Sequence, residues 1–214
     1  MNANGTQQIM AMFQRISAAI SEEKGRLSEL DGAIGDADHG ITMARGFSAV
    51  TRRLSGTDCE TLPPSEIFQI AASTFLDSVG ASTGPLYATA FIDAAQVLSG
   101  KAALGASEQA GIVEAFKAGI KRRGKGDRGD KTMLDAWIPA AEAAQDARER
   151  NAAPAEMWEK ILQAAEIGCE STKSMVAARG RALRLGERSL GHIDPGAASA
   201  VIIIAAMRDT FDEP

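Results

Sequence analysis

Between Leu30 and Gly40 the chain reads Leu-Asp-Gly-Ala-Ile-Gly-Asp-Ala-Asp-His-Gly, which gathers Asp31, Asp36 and Asp38 in one short stretch with no nearby lysine to pair them. Three carboxylates held close repel one another and take up protons unless a cation joins them, and hard divalent cations prefer oxygen ligands. Mg²⁺ is the natural candidate. A calcium EF-hand is excluded, because that loop counted from Asp36 puts Phe47 where a bidentate glutamate is needed. The plainer alternative is that these aspartates only cap the next helix and solvate a turn, as Asp and Gly clusters commonly do. Spacing alone does not choose between the two.

The same stretch runs into an expected helix start at Gly40, where free main-chain N–H groups and the helix dipole favour a phosphate. An acidic loop beside an anion-binding helix start makes sense if Mg²⁺ bridges one to the other. Three further loops rich in Gly, Ser, Thr or Asp fall at or near helix starts: Gly80–Pro85, Gly124–Thr132 and Asp194–Gly196. Ser82 and Thr83 offer hydroxyls to a phosphate, and Gly84 and Gly196 permit close backbone approach; otherwise these are ordinary helix caps. If the helices alternate in direction, loops after odd-numbered helices share one end and could form one rim.

His39 and His192 also sit in Gly- and Asp-containing loops, with no Ser or Cys partner for a nucleophilic triad, so phosphate or base contact suits them better. There is no Gly-x-x-x-x-Gly-Lys-Ser/Thr loop and no Gly-x-Gly-x-x-Gly after a strand, which excludes the familiar α/β nucleotide folds. Tyr87 and Trp137 fall on helical faces as core or lining residues.

The elements that must position these loops are helices. Aromatics are only 5% of the 214 residues, while Ala, Leu, Met, Glu, Lys and Arg, the residues that lose least on entering a helix, dominate. Ile9, Phe13, Ile16 and Ile20 recur at helical spacing and define a first helix that runs out near Gly25–Leu30. Further helices are expected over Ile41–Leu54, Ser65–Val79, Leu86–Leu98, from Ser107 to the basic run Lys121–Lys125, Lys131–Arg148 and Ala155–Arg179, the last with Gly168 as a place to bend. Val201–Ile204 would suit a buried strand, but no second strand-like run exists to pair with it, so Ala197–Met207 is read as a buried helix. The fold class is all-α, with about eight helices in a single domain over residues 1–214 and no internal repeat.

A net charge of −5 argues against a general nucleic-acid surface; the basic cluster Lys121, Arg122, Arg123 and Lys125 ends a helix and complements its dipole. Cys59 and Cys169 match no metal or redox spacing. No signal peptide or bilayer-spanning apolar run is present, and a cytoplasmic location with no membrane partner is expected.

Four stretches in order carry a resemblance: Asp31-Gly-Ala-Ile-Gly-Asp-Ala-Asp-His-Gly40, Gly84-Pro-Leu-Tyr87, Gly129-Asp-Lys-Thr-Met-Leu-Asp135 and Leu185-Gly-Glu-Arg-Ser-Leu-Gly-His-Ile-Asp-Pro-Gly196. Together they resemble the Dak2 (DhaL) family, the L subunits of dihydroxyacetone kinase, over essentially the whole chain. The resemblance implies an eight-helix antiparallel barrel holding ADP or ATP and two Mg²⁺ ions in a rim of loops at one end. It implies Asp31, Asp36 and Asp38 as Mg²⁺ ligands. It also implies His39, Gly40, Ile41, Thr42, Ser82, Thr83, Gly124, Met133, Arg181, Asp194, Pro195 and Gly196 as nucleotide contacts.

The ketose would be held covalently by a histidine of a separate K subunit, so this chain alone would be an incomplete kinase. Bound ADP would be recharged by a phosphotransferase-system M subunit, or exchangeable ATP would be the donor; a homodimer is left open. Ala37 stands where Gly is frequent in the family, Thr42 where Asn is frequent, and Ser82-Thr83 where Ala-Ser is common. A relative acting on erythrulose or another short ketose, an ADP-loaded regulatory module and the nucleotide domain of a fatty-acid kinase are the competing assignments. The last lacks support in the absence of a long additional C-terminal region. A plain helical bundle with decorative loops would bind no Mg²⁺-dependent ligand at all.

Overall fold

The computed structural model describes residues 4–55, 61–80 and 82–211. Among them the chain forms nine α-helices: α1 (Gly5–Glu22), α2 (Lys24–Ile34), α3 (His39–Ser55), α4 (Pro64–Ser78), α5 (Thr83–Val97), α6 (Ala106–Gly124), α7 (Leu134–Glu149), α8 (Pro154–Ser171) and α9 (Pro195–Phe211). Two 3₁₀ segments, Thr172–Ser174 and Arg181–Ser189, lie between α8 and α9, and no strand is present among the described residues. Each of α3 to α9 packs against the next, and α1 closes the ring by packing on both α9 and α3. This is the expected eight-helix antiparallel barrel. The added helix, α2, continues α1 beyond a break at Glu23 and packs on α3 and α9.

Local chemistry explains the starts. Asn4 caps α1 by accepting from the Gln7 N–H at 2.8 Å while the Gln7 side chain accepts from the Asn4 N–H at 3.2 Å. Pro64 and Pro154 occupy first-turn positions, where a missing N–H costs nothing. Inside the ring, Ile9, Phe13, Ile16 and Ile20 are fully buried, as their spacing requires.

Phe91 on α5 has Phe13, Phe47, Phe68, Phe75, Tyr87 and Phe116 around it, several of them edge-on, such as Phe13 at 5.4 Å between ring centroids. Removing such a ring by Phe91→Ala costs about 3–5 kcal/mol. The apolar run Val201–Ile204 is helical, as read, and lies within α9.

Four boundaries differ from those expected. The stretch Gly25–Leu30 is helical, because Leu27, Asp31 and Ile34 form a narrow buried stripe on α2, and the acidic loop proper shrinks to residues 35–38. Helix α5 begins at Thr83, so Gly84 and Pro85 lie inside its first turn. Helix α7 starts at Leu134, after Lys131 takes a left-handed φ of 57°.

Helix α8 stops at Ser171, well before Arg179. The buried ammonium of Lys131 donates to the Thr172 carbonyl, engaging an acceptor that a further helical turn would use. Helix α8 runs unbroken through Gly168. A Cβ there would overlap the Asp135 carbonyl, which Pro139 leaves without its helical N–H, so the glycine lets α8 approach α7 closely. Cys169 is buried as a free thiol, and Cys59 lies outside the described residues. Among the described residues no helix is long and apolar enough to cross a membrane.

Candidate nucleotide and metal site

Because the ring alternates in direction, the first turns of α3, α5, α7 and α9 converge on one end, where they line a cleft of about 650 Å³. Each helix start presents N–H groups and the positive end of its dipole, so four of them at one cleft make a strong anion field. The cleft wall contains Asp31, Asp36, Asp38, His39, Thr42, Ser82, Thr83, Gly124, Met133, Arg181, Asp194, Pro195 and Gly196. Of the metal and nucleotide contacts that the resemblance implies, only Gly40 and Ile41 are absent from that wall, and Gly84 and His192, picked out from their loops, are absent as well.

Gly40 is buried under α2, where a Cβ would overlap the Lys24 carbonyl, and the Ile41 side chain is exposed. Their main-chain N–H groups, in the first turn of α3, have no hydrogen-bond partner among the described residues.

The acidic corner is built by α2 reaching under α3. Asp31 is buried, and its Oδ2 accepts the main-chain N–H groups of Asp38 at 2.9 Å and His39 at 3.2 Å. Asp31 therefore caps α3 and holds the turn with its second oxygen to spare. Ala37, at φ 62°, lets the chain bend so that Asp36 and Asp38 come beside Asp31. One oxygen from each of the three carboxylates lies within 4.8 Å of the others, a donor set that suits a hard divalent cation. Capping engages only Oδ2 of Asp31, so it does not by itself exclude a metal at that carboxylate. The guanidinium of Arg181 pairs with Asp36, so the corner already attracts positive charge.

His39 lies deeper. Its Nε2 is 2.9 Å from Ser199 Oγ on α9, and burial lowers its pKa below the ordinary value, with Asp31 acting in the opposite direction. Asp194 caps α9 by accepting from the Ala197 N–H at 2.8 Å. Burial pushes its carboxyl up to about 7, against the opposing pull of that N–H and of Lys131.

Sequence reasoning overlooked Lys131, Thr132, Arg123 and Arg179, which also line the cleft. Lys131 is only 1% exposed and donates to the carbonyls of Thr172 and His192, fastening the 172–194 strap to the barrel mouth. Burial lowers its pKa, with Asp194 and Asp135 opposing. Arg179 donates to Asp130 at 2.7 Å and holds that carboxyl below its usual range. Asp135 caps the loop before α7 by accepting from Gly129 at 2.6 Å and Thr132 at 2.8 Å. The signal available for Lys131 was its place inside Gly-Asp-Lys-Thr; its burial depends on a strap some forty residues away in sequence. His192 itself is exposed and supplies only its carbonyl to this frame.

An acidic triad facing four helix starts is an arrangement for a metal-bound polyphosphate, and comparison with known proteins agrees. The ADP-binding subunit DhaL of the PEP-dependent dihydroxyacetone kinase of Escherichia coli is 39% identical over 197 residues, covering 92% of this chain and 93% of that protein. The corresponding subunit of dihydroxyacetone kinase 1 of Listeria innocua is 38% identical over 191 residues, 89% of each. The dihydroxyacetone kinase of C. freundii, solved with AMP-PNP and Mg²⁺, superposes with a TM-score of 0.70 at 26% identity, over 94% of this chain and 33% of that one. The model of the DAK2 domain matches residues 33–209, and with that match over most of its length the chain belongs to the DAK2 domain family.

Proposed function

We propose that this chain is the nucleotide-binding, phosphoryl-transferring subunit of a dihydroxyacetone kinase, working as one domain with a separate K subunit that holds the ketose. The observation that carries the proposal is the position of the Asp31, Asp36 and Asp38 carboxylates, within 4.8 Å of one another, in a cleft lined by the first turns of four helices. Support comes from relatives of nearly the same length whose names specify an ADP-binding subunit.

Asp31, Asp36 and Asp38 hold the metal, for which we take two Mg²⁺ ions. When bound, Mg²⁺ neutralises the phosphate oxygens and aligns the γ-phosphoryl group for in-line transfer. The N–H groups of Gly40 and Ile41 and the hydroxyls of Thr42, Ser82 and Thr83 donate to phosphate, and Arg181 adds a charge-assisted contact. Gly124, Met133 and the Asp194-Pro195-Gly196 turn form the wall against the base and sugar, and His39 meets the nucleotide from α3. No side chain here need act as nucleophile, because phosphoryl transfer is driven mainly by positioning and charge neutralisation.

The donor is ATP formed in place by rephosphorylation of bound ADP through a phosphotransferase-system M subunit, in keeping with the PEP-dependent relatives. We place the assembly in the cytoplasm, where a free thiol such as that of Cys169 stays reduced.

Reconstitution with a K-type subunit and dihydroxyacetone tests the proposal. Transfer is expected only with both chains and Mg²⁺, and Asp36→Asn should lower its rate on the order of a hundredfold. Undiminished transfer by Asp36→Asn would overturn the metal assignment. Bound ADP that exchanges freely with ATP in solution would replace the phosphotransferase route by direct use of ATP.

A further inference from the structure

His39 is joined to the barrel interior by a chain of hydrogen bonds whose direction can be worked out. The Ser199 hydroxyl lies 2.9 Å from the Gly196 carbonyl and 2.9 Å from His39 Nε2. A hydroxyl has one proton, and a carbonyl can only accept, so the Ser199 proton goes to Gly196. Ser199 Oγ therefore has only lone pairs to offer His39, and the imidazole must be the donor through Nε2.

Ser199 is fully buried, so no water competes for this position. On the other side of the ring, Nδ1 has no hydrogen-bond partner among the described residues, and His39 is part of the cleft wall.

We propose that Ser199 is a positioning residue that holds His39 as its Nε2–H tautomer, so that Nδ1 presents a lone pair to the cleft and accepts an N–H or O–H of the bound nucleotide. The proposal rests on the nucleotide assignment above for the identity of the donor, and it opposes the view of His39 as a cationic phosphate clamp. A phosphate oxygen is an acceptor and cannot satisfy Nδ1; a ribose hydroxyl or an adenine amino group can. The anion is left to the helix starts and the arginines, while His39 discriminates for a ligand that carries a donor at this point. The same bond ties α3 to α9, the two helices whose first turns flank the acidic corner.

The chain has two histidines, so the His192→Gln variant leaves a single imidazole for ¹⁵N NMR. At neutral pH the expected spectrum shows a protonated Nε2 and a bare Nδ1, in the free chain and again with Mg²⁺ and ADP added. On ADP addition the Nδ1 resonance should shift in the direction of an accepted hydrogen bond. Adding Ser199→Ala should spread the proton over both nitrogens and weaken ADP binding about tenfold, the worth of one well-made hydrogen bond, with an unchanged far-UV circular dichroism spectrum to show that the barrel is intact.

A proton on Nδ1 in the free chain, whether as the other tautomer or as imidazolium, overturns the proposal. So does weakened ADP binding in Ser199→Ala with the tautomer unaltered, because that would make Ser199 merely structural. The tautomer is read without nucleotide; if wild type binds no Mg²⁺·ADP, the function assigned to the cleft fails while the spectrum still decides how Ser199 holds His39.

Discussion

The Arg181 guanidinium pairs with the Asp36 carboxylate across 145 positions of sequence, joining the strap before α9 to the acidic loop after α2. One of the three carboxylates thus has a cationic partner from the chain itself, and a metal ion must compete with it. Arg181→Ala should strengthen the binding of Mn²⁺ alone while weakening Mg²⁺·ADP about tenfold, since a charge-assisted phosphate contact is lost. Calorimetry of the two ligands separately reads both signs; parallel weakening of both would show that Arg181 only supports the loop.

Lys131 fastens the strap by donating to the Thr172 and His192 carbonyls from a fully buried position. Lys131→Met keeps most of the stem but leaves the His192 carbonyl without its donor and the Thr172 carbonyl with only the Met175 N–H. The expected loss of stability is about 2–4 kcal/mol, measured by urea unfolding. An unchanged midpoint would mean that the strap is held by other contacts.

Asp194 gives stability a pH dependence of unusual sign. Burial raises its carboxyl from 3.8 to about 7, so over that interval the folded chain holds a proton the unfolded chain has released, and stability falls as pH rises. His39 acts oppositely: burial depresses its pKa below 6.5, so its contribution is present above that value and is lost as pH falls through the folded pKa. Comparison with Asp194→Asn separates the two. The variant should gain on wild type as pH rises from about 4 to about 7 and hold level above. A difference in unfolding free energy that stays constant with pH would contradict the buried carboxyl.

Ala37 adopts a left-handed φ of 62° between Asp36 and Asp38. A Cβ in that region costs about 1–2 kcal/mol, only partly offset by the greater chain entropy that glycine must give up on folding. Ala37→Gly should therefore raise stability by about 0.5–1 kcal/mol in denaturant unfolding without weakening Mg²⁺·ADP. A destabilised variant would show that the methyl group makes a contact the bend depends on.

Much of the fold is legible because helical periodicity reports burial directly, as Ile9, Phe13, Ile16 and Ile20 show. Gly25 and Gly32 obscured α2, since glycine reads as a breaker and only Leu27, Asp31 and Ile34 mark its narrow buried face. The end of α8 could not be read locally, because no Gly or Pro stands between Ser171 and Arg179; the helix stops where distant Lys131 engages the Thr172 carbonyl. The same holds for the site. Asp31, Asp36 and Asp38 announce themselves by clustering in sequence, whereas Lys131, Arg123 and Arg179 enter the cleft only through the ring closure and the strap.

The acidic corner and the helix starts are proposed to act together, through a metal, on one polyphosphate. Calorimetric titration of ADP into the nucleotide-stripped chain, with Mg²⁺ and then with EDTA, tests it most directly. Binding that is saturable with Mg²⁺ and at least about tenfold weaker without it is expected. Equal affinity in both buffers, or no binding in either, would contradict it.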